Sequence, residues 1–226
     1  MYVVGYSSDS VHQYTLSTGF DLSTASYDNV SFSVSAQETI PLDTAFNNDG
    51  TKMFMIGNIN DRVYQYTLST GFDLSTASYD NVSFSVISQD SNPYDIEFNS
   101  DGTKMYMVGA TGDKVYQYTL STGFNISTAS YDNVSFSVAG QETNPLGIAF
   151  SNDGTKLYMV GDVSDTVYQY STTVSVPFTI TYPSSVKWSG ATTPDTPEEG
   201  DKDVYVFVTT DGGTTYYAKQ AGDAVA

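Results

Sequence analysis

Apolar and polar residues alternate along this chain in short runs that return at a fixed interval. In PLGIAF (145–150), Leu146, Ile148 and Phe150 fall on one face and the small Gly147 and Ala149 on the other. KMYMVG (104–109) is apolar on both faces, as a strand covered on two sides should be. VYQYTL (115–120) sets Tyr116, Tyr118 and Leu120 against Val115, Gln117 and Thr119. NVSFSV (133–138) sets Val134, Phe136 and Val138 against Ser135 and Ser137, one dry face and one wet, which predicts an outer edge strand. Nothing places apolar residues at i, i+3, i+4 and i+7 over a helical stretch. The period of two predicts an all-β protein, and the 19 Tyr fit that class.

The four runs belong to one unit that the chain writes three times. The Asp-Gly-Thr-Lys turn fixes the period at 52 residues, through Gly50, Gly102 and Gly154. The copies are 1–52, 53–104 and 105–156, with a partial fourth over 157–175; Met1 stands where the repeat itself has Met53 and Met105. Four alternating segments per period predict a four-stranded antiparallel sheet, so the fold class is a β-propeller-like array of blades. A β-solenoid is the alternative, but its coils are usually much shorter. Three arrangements of the blades are compatible with the repeats. One is a four-bladed ring in which VSVPFTITY (174–182) replaces the last outer strand and the first blade lacks its inner one. The others are an open array completed by other subunits and part of a larger ring.

Differences between copies gather in two loops. Residues 17–34 and 69–86 are identical, whereas 6–10, 58–62, 110–114 and 162–166 differ, as do 35–40, 87–92 and 139–144. In an up-and-down blade both sets emerge on one side, opposite the DGTK turns. One side is then constant and the other varied. Contact with a partner explains this, and so does relaxed constraint on exposed loops.

Charge narrows the chemistry. The formal net charge of −18 repels phosphate backbones and argues against nucleic acid as a partner. There is no Cys, hence no disulfide framework or thiolate site. No run reaches the ~18–20 apolar residues of a membrane-spanning helix, and no secretory leader pattern is expected before the repeats. Asp9, Asp61, Asp113 and Asp165 recur at one loop position and are candidate ligands for a structural Ca²⁺, an oxygen-seeking cation. The competing reading is an Asp side chain accepting backbone N–H bonds in a turn. His12, the single histidine, takes the place of Tyr64, Tyr116 and Tyr168 and reads as a tyrosine substitute on a sheet face. The tyrosine ladder reads as core packing before a sugar platform. Asn29, Asn81 and Asn133 open Asn-Val-Ser triplets at expected strand starts. With one His and no distinctive acid pair, the chain is expected not to be an enzyme.

From about Val176 the texture changes. VPFTITYPSSVKWSG is followed by the Pro- and Glu-rich ATTPDTPEEGDKD, then by VYVFVTT, Asp211-Gly212-Gly213 and TTYYAKQ, which predict a hairpin. Residues 176–226 therefore form a separate small C-terminal β segment, too short for its own core. This tail, over 178–226, resembles the C-terminal segment of bacteriophage tail-fibre and other virion appendage proteins. Their P-x-S-V-x-W element precedes a Gly/Pro loop, a D-x-Y-x-F-x-T-x-D-G-G hairpin and a final Ala-Gly-x-Ala. Here Tyr216 or Tyr217 stands where that family usually has Trp. The repeats likewise resemble the propeller-like DGTKMYVVG…VYQY repeats of phage and environmental bacterial proteins. The resemblance implies a virion or extracellular location and a structural, host-recognition role without a cofactor. It also implies a homo-oligomer, usually a trimer, with other virion proteins and a host receptor or glycan as partners. A bacterial extracellular adhesin or filament subunit is the second reading, and a propeller hydrolase the third.

Overall fold

The structure is a computed structural model that describes residues 1–172 throughout, and after them the backbone of three strands at 186–188, 204–208 and 216–222. The chain divides into two compact units, Met1–Thr172 and Thr173–Ala226.

The first unit is all-β and propeller-like: four antiparallel sheets in chain order. Blade 1 holds β1 (Tyr2–Gly5), β2 (Ser10–Leu16) and β3 (Ala25–Ser33). Blade 2 holds β4 (Pro41–Phe46), β5 (Lys52–Gly57), β6 (Arg62–Leu68) and β7 (Ala77–Ser85). Blade 3 repeats this with β8 (Pro93–Phe98), β9 (Lys104–Gly109), β10 (Lys114–Leu120) and β11 (Ala129–Ser137). Blade 4 holds β12 (Pro145–Phe150), β13 (Lys156–Gly161) and β14 (Val167–Ser171). A 52-residue copy thus supplies the last three strands of one blade and the first of the next. The strands β4, β8 and β12 pack beside one another as the inner edge. VSVPFTITY lies outside the described residues.

The core sits in layers between blades. Met53, Met55, Tyr66, Leu68 and Leu74 of blade 2 pack on Val11 and Val34 of blade 1, and the equivalent residues build the next two layers. This accounts for the doubly apolar β5 and β9, whose two faces enter different layers. The tyrosine ladder is core: Tyr66 and Tyr118 are fully buried, and Phe84 meets the Tyr118 ring edge-on at 5.5 Å.

The constant turn has a physical reason at each position. Gly50 and Gly102 adopt φ of 71° and 69°, and a Cβ on either would strike the ring of Phe72 or Phe124 at 2.3 Å. Asp101 Oδ1 accepts from Thr103 N at 2.9 Å. Lys104 Nζ crosses the sheet to Thr119 Oγ1 and, at 2.7 Å, to Asp132 Oδ2. The third copy's Asn125 caps its 3₁₀ turn through Ser127 N at 3.1 Å just as Asp73 does through Ser75 N at 3.0 Å, so that change is neutral.

The outer strands depart from expectation. They begin four residues earlier than NVSFSV, and Asn29, Asn81 and Asn133, with φ of 57–58°, sit inside them at a bulge opposite Gln13, Gln65 and Gln117. The Asn-Val-Ser triplets therefore lie in mid-strand; Asn tolerates the left-handed backbone that the bulge requires.

In the second unit β16 (Val204–Val208) pairs antiparallel with β17 (Tyr216–Gly222), as the hairpin reading expects; its Asp211-Gly212-Gly213 turn lies outside the described residues. β15 (Val186–Trp188) adds a third strand, parallel to β17.

Candidate functional site

Two regions carry polar chemistry that the blades position deliberately: the varied loops and the inner strands.

The varied loops meet across each blade seam through one buried carboxylate. Glu38 Oε1 accepts from Ile40 N at 2.9 Å, and its Oε2 from Asn60 N in the next blade at 3.1 Å. Glu142 accepts from Asn144 N at 2.8 Å, Ser164 N at 3.0 Å and Ser164 Oγ at 2.7 Å. These bonds, that of the Ser164 hydroxyl first, hold the Glu142 carboxyl down at about 2. At the middle seam the acid is Asp90, bonded by Asn92 N (2.9 Å), Thr111 N (3.1 Å), Gly112 N (2.9 Å) and Tyr116 Oη (3.2 Å). Asp is one carbon shorter than Glu, and Gly112 lets the backbone come to it: a Cβ there would lie 2.4 Å from Tyr116 Oη. At this middle seam the two loops differ together, Asp90 with Gly112, whereas Glu38 and Glu142 serve two different partner loops. Asn58 Nδ2–Asn92 Oδ1 (2.9 Å) and Ser91–Thr111 (3.2 Å) join them further.

Asp61 is buried and so is Glu142, so neither offers its charge to a partner. The side chains left exposed on this side are mostly hydroxyls and amides, among them Ser35, Thr39, Asn60, Ser88, Thr111 and Thr143, with isolated Ile59, Ile87 and Val163 and, in the last loop, the carboxylates of Asp162 and Asp165.

Asp9, Asp61, Asp113 and Asp165 occupy equivalent hairpin positions in four different blades with φ of 46–51°. Among the described residues, no group of three or more His, Cys, Asp or Glu is arranged to hold a metal ion. The turn reading needs correction. Oδ1 of Asp61 and of Asp113 is buried without a hydrogen-bond partner. It is the main chain that works: Asp61 O accepts from Val86 N at 2.9 Å, and Asp113 O from Val138 N at 2.9 Å. Asp recurs because it tolerates this left-handed backbone. Burial, then Glu38 and Asp90, push the Asp61 carboxyl up. His12 Nε2 lies 3.0 Å from Ser8 Oγ, at the place where Tyr116 Oη reaches a seam acid.

The second region was not read from the sequence. Asp43 on β4 and Asp95 on β8 reach across to the next inner strand. Asp43 Oδ2 accepts from Ile96 N at 3.2 Å and Asp95 Oδ2 from Ile148 N at 2.6 Å. With Glu97 they line an open cavity of about 400 Å³. Burial first, then the charge of Asp43 and a hydrogen bond to it, push the Asp95 carboxyl up to about 9. Burial and Asp43 also raise Glu97. The signal available in the sequence was the Pro-x-Asp of Pro41 and Pro93, which becomes Pro-x-Gly at Gly147. No Lys, Arg or His lines the cavity among the described residues.

No protein-family model matches the chain, and no curated protein matches it by sequence. Solved structures do resemble it. A provisionally assigned 6-phosphogluconolactonase from Bacteroides uniformis aligns at 14% identity over 75% of this chain and 52% of its own, with a TM-score of 0.50. A protein from Lactobacillus plantarum aligns at 14% identity over 76% and 50%, with a TM-score of 0.51. The β-propeller domain of Myceliophthora thermophila Swd1 aligns at 10% identity over 74% and 48%, with a TM-score of 0.45. The chain spans about half the length of these relatives in fold. One expectation is overturned by the first of them. The exclusion of catalysis rested on one His and no distinctive acid pair; a chain of this fold carries a lactonase assignment, and Asp43–Asp95 is an acid pair in a distinctive setting. The likeness establishes the fold that this chain shares: it is a β-propeller-like protein.

Proposed function

We propose that the chain is a recognition module of the virion-appendage kind, which meets a host surface or a neighbouring protein on the side formed by the varied loops. The observation that carries this reading is that the varied loops are held together at each described seam by a buried acid on the next loop's main chain, Glu38 on Asn60 N, Asp90 on Gly112 N and Glu142 on Ser164 N. Loops free to drift need no such shared anchor. A surface of hydroxyls and amides with a few aliphatic side chains and the exposed carboxylates of Asp162 and Asp165 suits a hydroxyl-rich partner such as a glycan. The tail's resemblance to phage tail-fibre segments supports the virion setting over a bacterial adhesin with the same repeats. The test exchanges a whole seam: residues 87–92 and 110–114 are replaced by 139–144 and 162–166, and binding to bacterial cells is measured. Altered binding with a preserved melt is expected. Unchanged binding after all three seams are exchanged refutes the reading.

A hydrolytic reading has its own support in the Asp43–Asp95 cavity, where a protonated Asp95 beside a second carboxyl has the makings of an acid and a base. The acidic lining is unsuited to a phosphorylated sugar, so a neutral lactone is the substrate class to try. Hydrolysis lost in Asp95→Asn would establish it, and its absence in the parent chain would dismiss it.

A further inference from the structure

We propose that the turn at 58–61 in blade 2 holds one Ca²⁺-class cation through the side-chain oxygens of Asn58 and Asp61. Gly57 and Arg62 pair across the hairpin, so Asn58 and Asp61 are the first and last residues of the turn between them. Such residues lie within about 7 Å of one another at Cα. Each presents an oxygen that lacks a donor: Oδ1 of Asn58 and Oδ1 of Asp61 are buried without a hydrogen-bond partner among the described residues. Asp61 as a whole is only 7% exposed, and a carboxylate so buried ordinarily collects donors, as Glu38 and Asp90 do at the two adjoining seams. The Asn58 amide does not supply one, because its Nδ2 is spent on Asn92 Oδ1 at 2.9 Å. The main chain of the turn is committed as well, with Asn60 N donating to Glu38 Oε2 at 3.1 Å.

The charge at this turn is as incomplete as its hydrogen bonding. Glu38, Asp61 and Asp90 are all buried, and Glu38 and Asp90 repel Asp61 from either side. The ion pairs among the described residues are Lys52–Asp80 and Lys104–Asp132, so none of these three carboxylates has a cationic side chain against it. Arg62, next in the chain, directs its Nε to Ser83 Oγ at 3.0 Å. A buried charge left in this way is destabilising, and a bound cation offsets it. The donors are a carboxylate and an amide oxygen, the kind Ca²⁺ accepts in a flexible shell of about six to eight oxygens that water completes. The site needs only one carboxylate, so it does not depend on a group of three acids, which the described residues lack. Ile59 and Asn60, between the two ligands, are exposed, which places the site just under the surface and within reach of dissolved ions. The other blades supply the contrast. In blade 3, Asp113 Oδ1 is also buried without a partner, but Ala110 stands at the place of Asn58 and provides no second ligand. Blade 1 has Tyr6 there, and in blade 4 Asp162 and Asp165 are exposed, with Asn144 Nδ2 already on Asp162 Oδ1. One tightly held ion per chain follows.

The full chain, stripped of ions by a chelator, is titrated with Ca²⁺ in a calorimeter and with Tb³⁺ followed by luminescence excited through its tyrosines. One ion per chain is expected to bind, and Ca²⁺ to raise the melting midpoint above that of the stripped chain. Asn58→Ala copies the blade 3 turn, and Asp61→Asn keeps the shape of the side chain without its charge. Each should weaken Ca²⁺ binding at least about tenfold, and Asp113→Asn should leave it unchanged. A parent chain that takes up Ca²⁺ only weakly and at many sites overturns the proposal. So does undiminished affinity in both blade 2 variants, and so does loss of the ion in Asp113→Asn alone.

Discussion

Replacing Asp90 by Ala probes the seam that holds the varied loops together. The carboxylate is buried and accepts from Asn92 N, Thr111 N, Gly112 N and Tyr116 Oη. Removing it leaves three backbone N–H groups without an acceptor, each worth about 1–3 kcal/mol if water is kept out. The loops are wet on their outer side, so water relieves part of this, and the net loss is about 3–5 kcal/mol. For a unit of this size each kcal/mol moves the melting midpoint by about 2–4 °C, so a fall of about 10 °C is expected. The assay is calorimetry, with amide hydrogen exchange at Thr111 and Gly112 to place the damage; both amides should lose protection. Ser88→Ala, at an exposed position in the same loop, should change stability by less than about 0.5 kcal/mol. Asp90→Asn keeps one acceptor oxygen and should fall between the two. A midpoint within about 2 °C of the parent for Asp90→Ala, with protection intact at both amides, would refute the reasoning.

Gly102→Ala should cost about 2–4 kcal/mol, from positive φ plus the collision with Phe124, and Gly154→Ala only about 1–2, because it has the same φ but no neighbour within 4 Å among the described residues; equal losses in thermal melts would refute the ring contact. Lys104→Met should cost about 1–2 kcal/mol because Asp132 is largely buried, against less than about 0.5 for Lys156→Met, whose amine meets Ser171 Oγ; denaturant titration checks both. Asp95 has a folded pKa raised above its unfolded value, so the folded state holds the extra proton and loses that advantage as pH rises from about 4 to about 9. The melting midpoint should fall across that window and fall less in Asp95→Asn; a variant curve parallel to the parent's would refute the assignment.

The blades were legible because their chemistry repeats. Alternation in PLGIAF and VYQYTL gave the strands, and the spacing of Gly50, Gly102 and Gly154 gave the period. The outer strands were read short because the Asp-Asn pair that opens NVSFSV looks like a turn, and only pairing with β10 shows it to be a bulge within a strand. The seam acids were not singled out, for a related reason. Glu38, Asp90 and Glu142 stand in loops, where charge usually faces water, but each finds backbone amides from a blade some twenty residues further on. Asp43 and Asp95 were missed among 26 acidic residues, because their shared Pro-x-Asp setting does not say that each carboxylate bonds an amide 53 positions away.

Contact through the loop side is the central claim, and hydrogen exchange of the chain, free and bound to bacterial cells or their extracted surface polysaccharide, tests it most directly. Slowed exchange is expected at amides within 58–62, 87–92, 110–114 and 139–144, with the DGTK turns at 49–52, 101–104 and 153–156 unchanged. Slowing confined to the DGTK turns would contradict it.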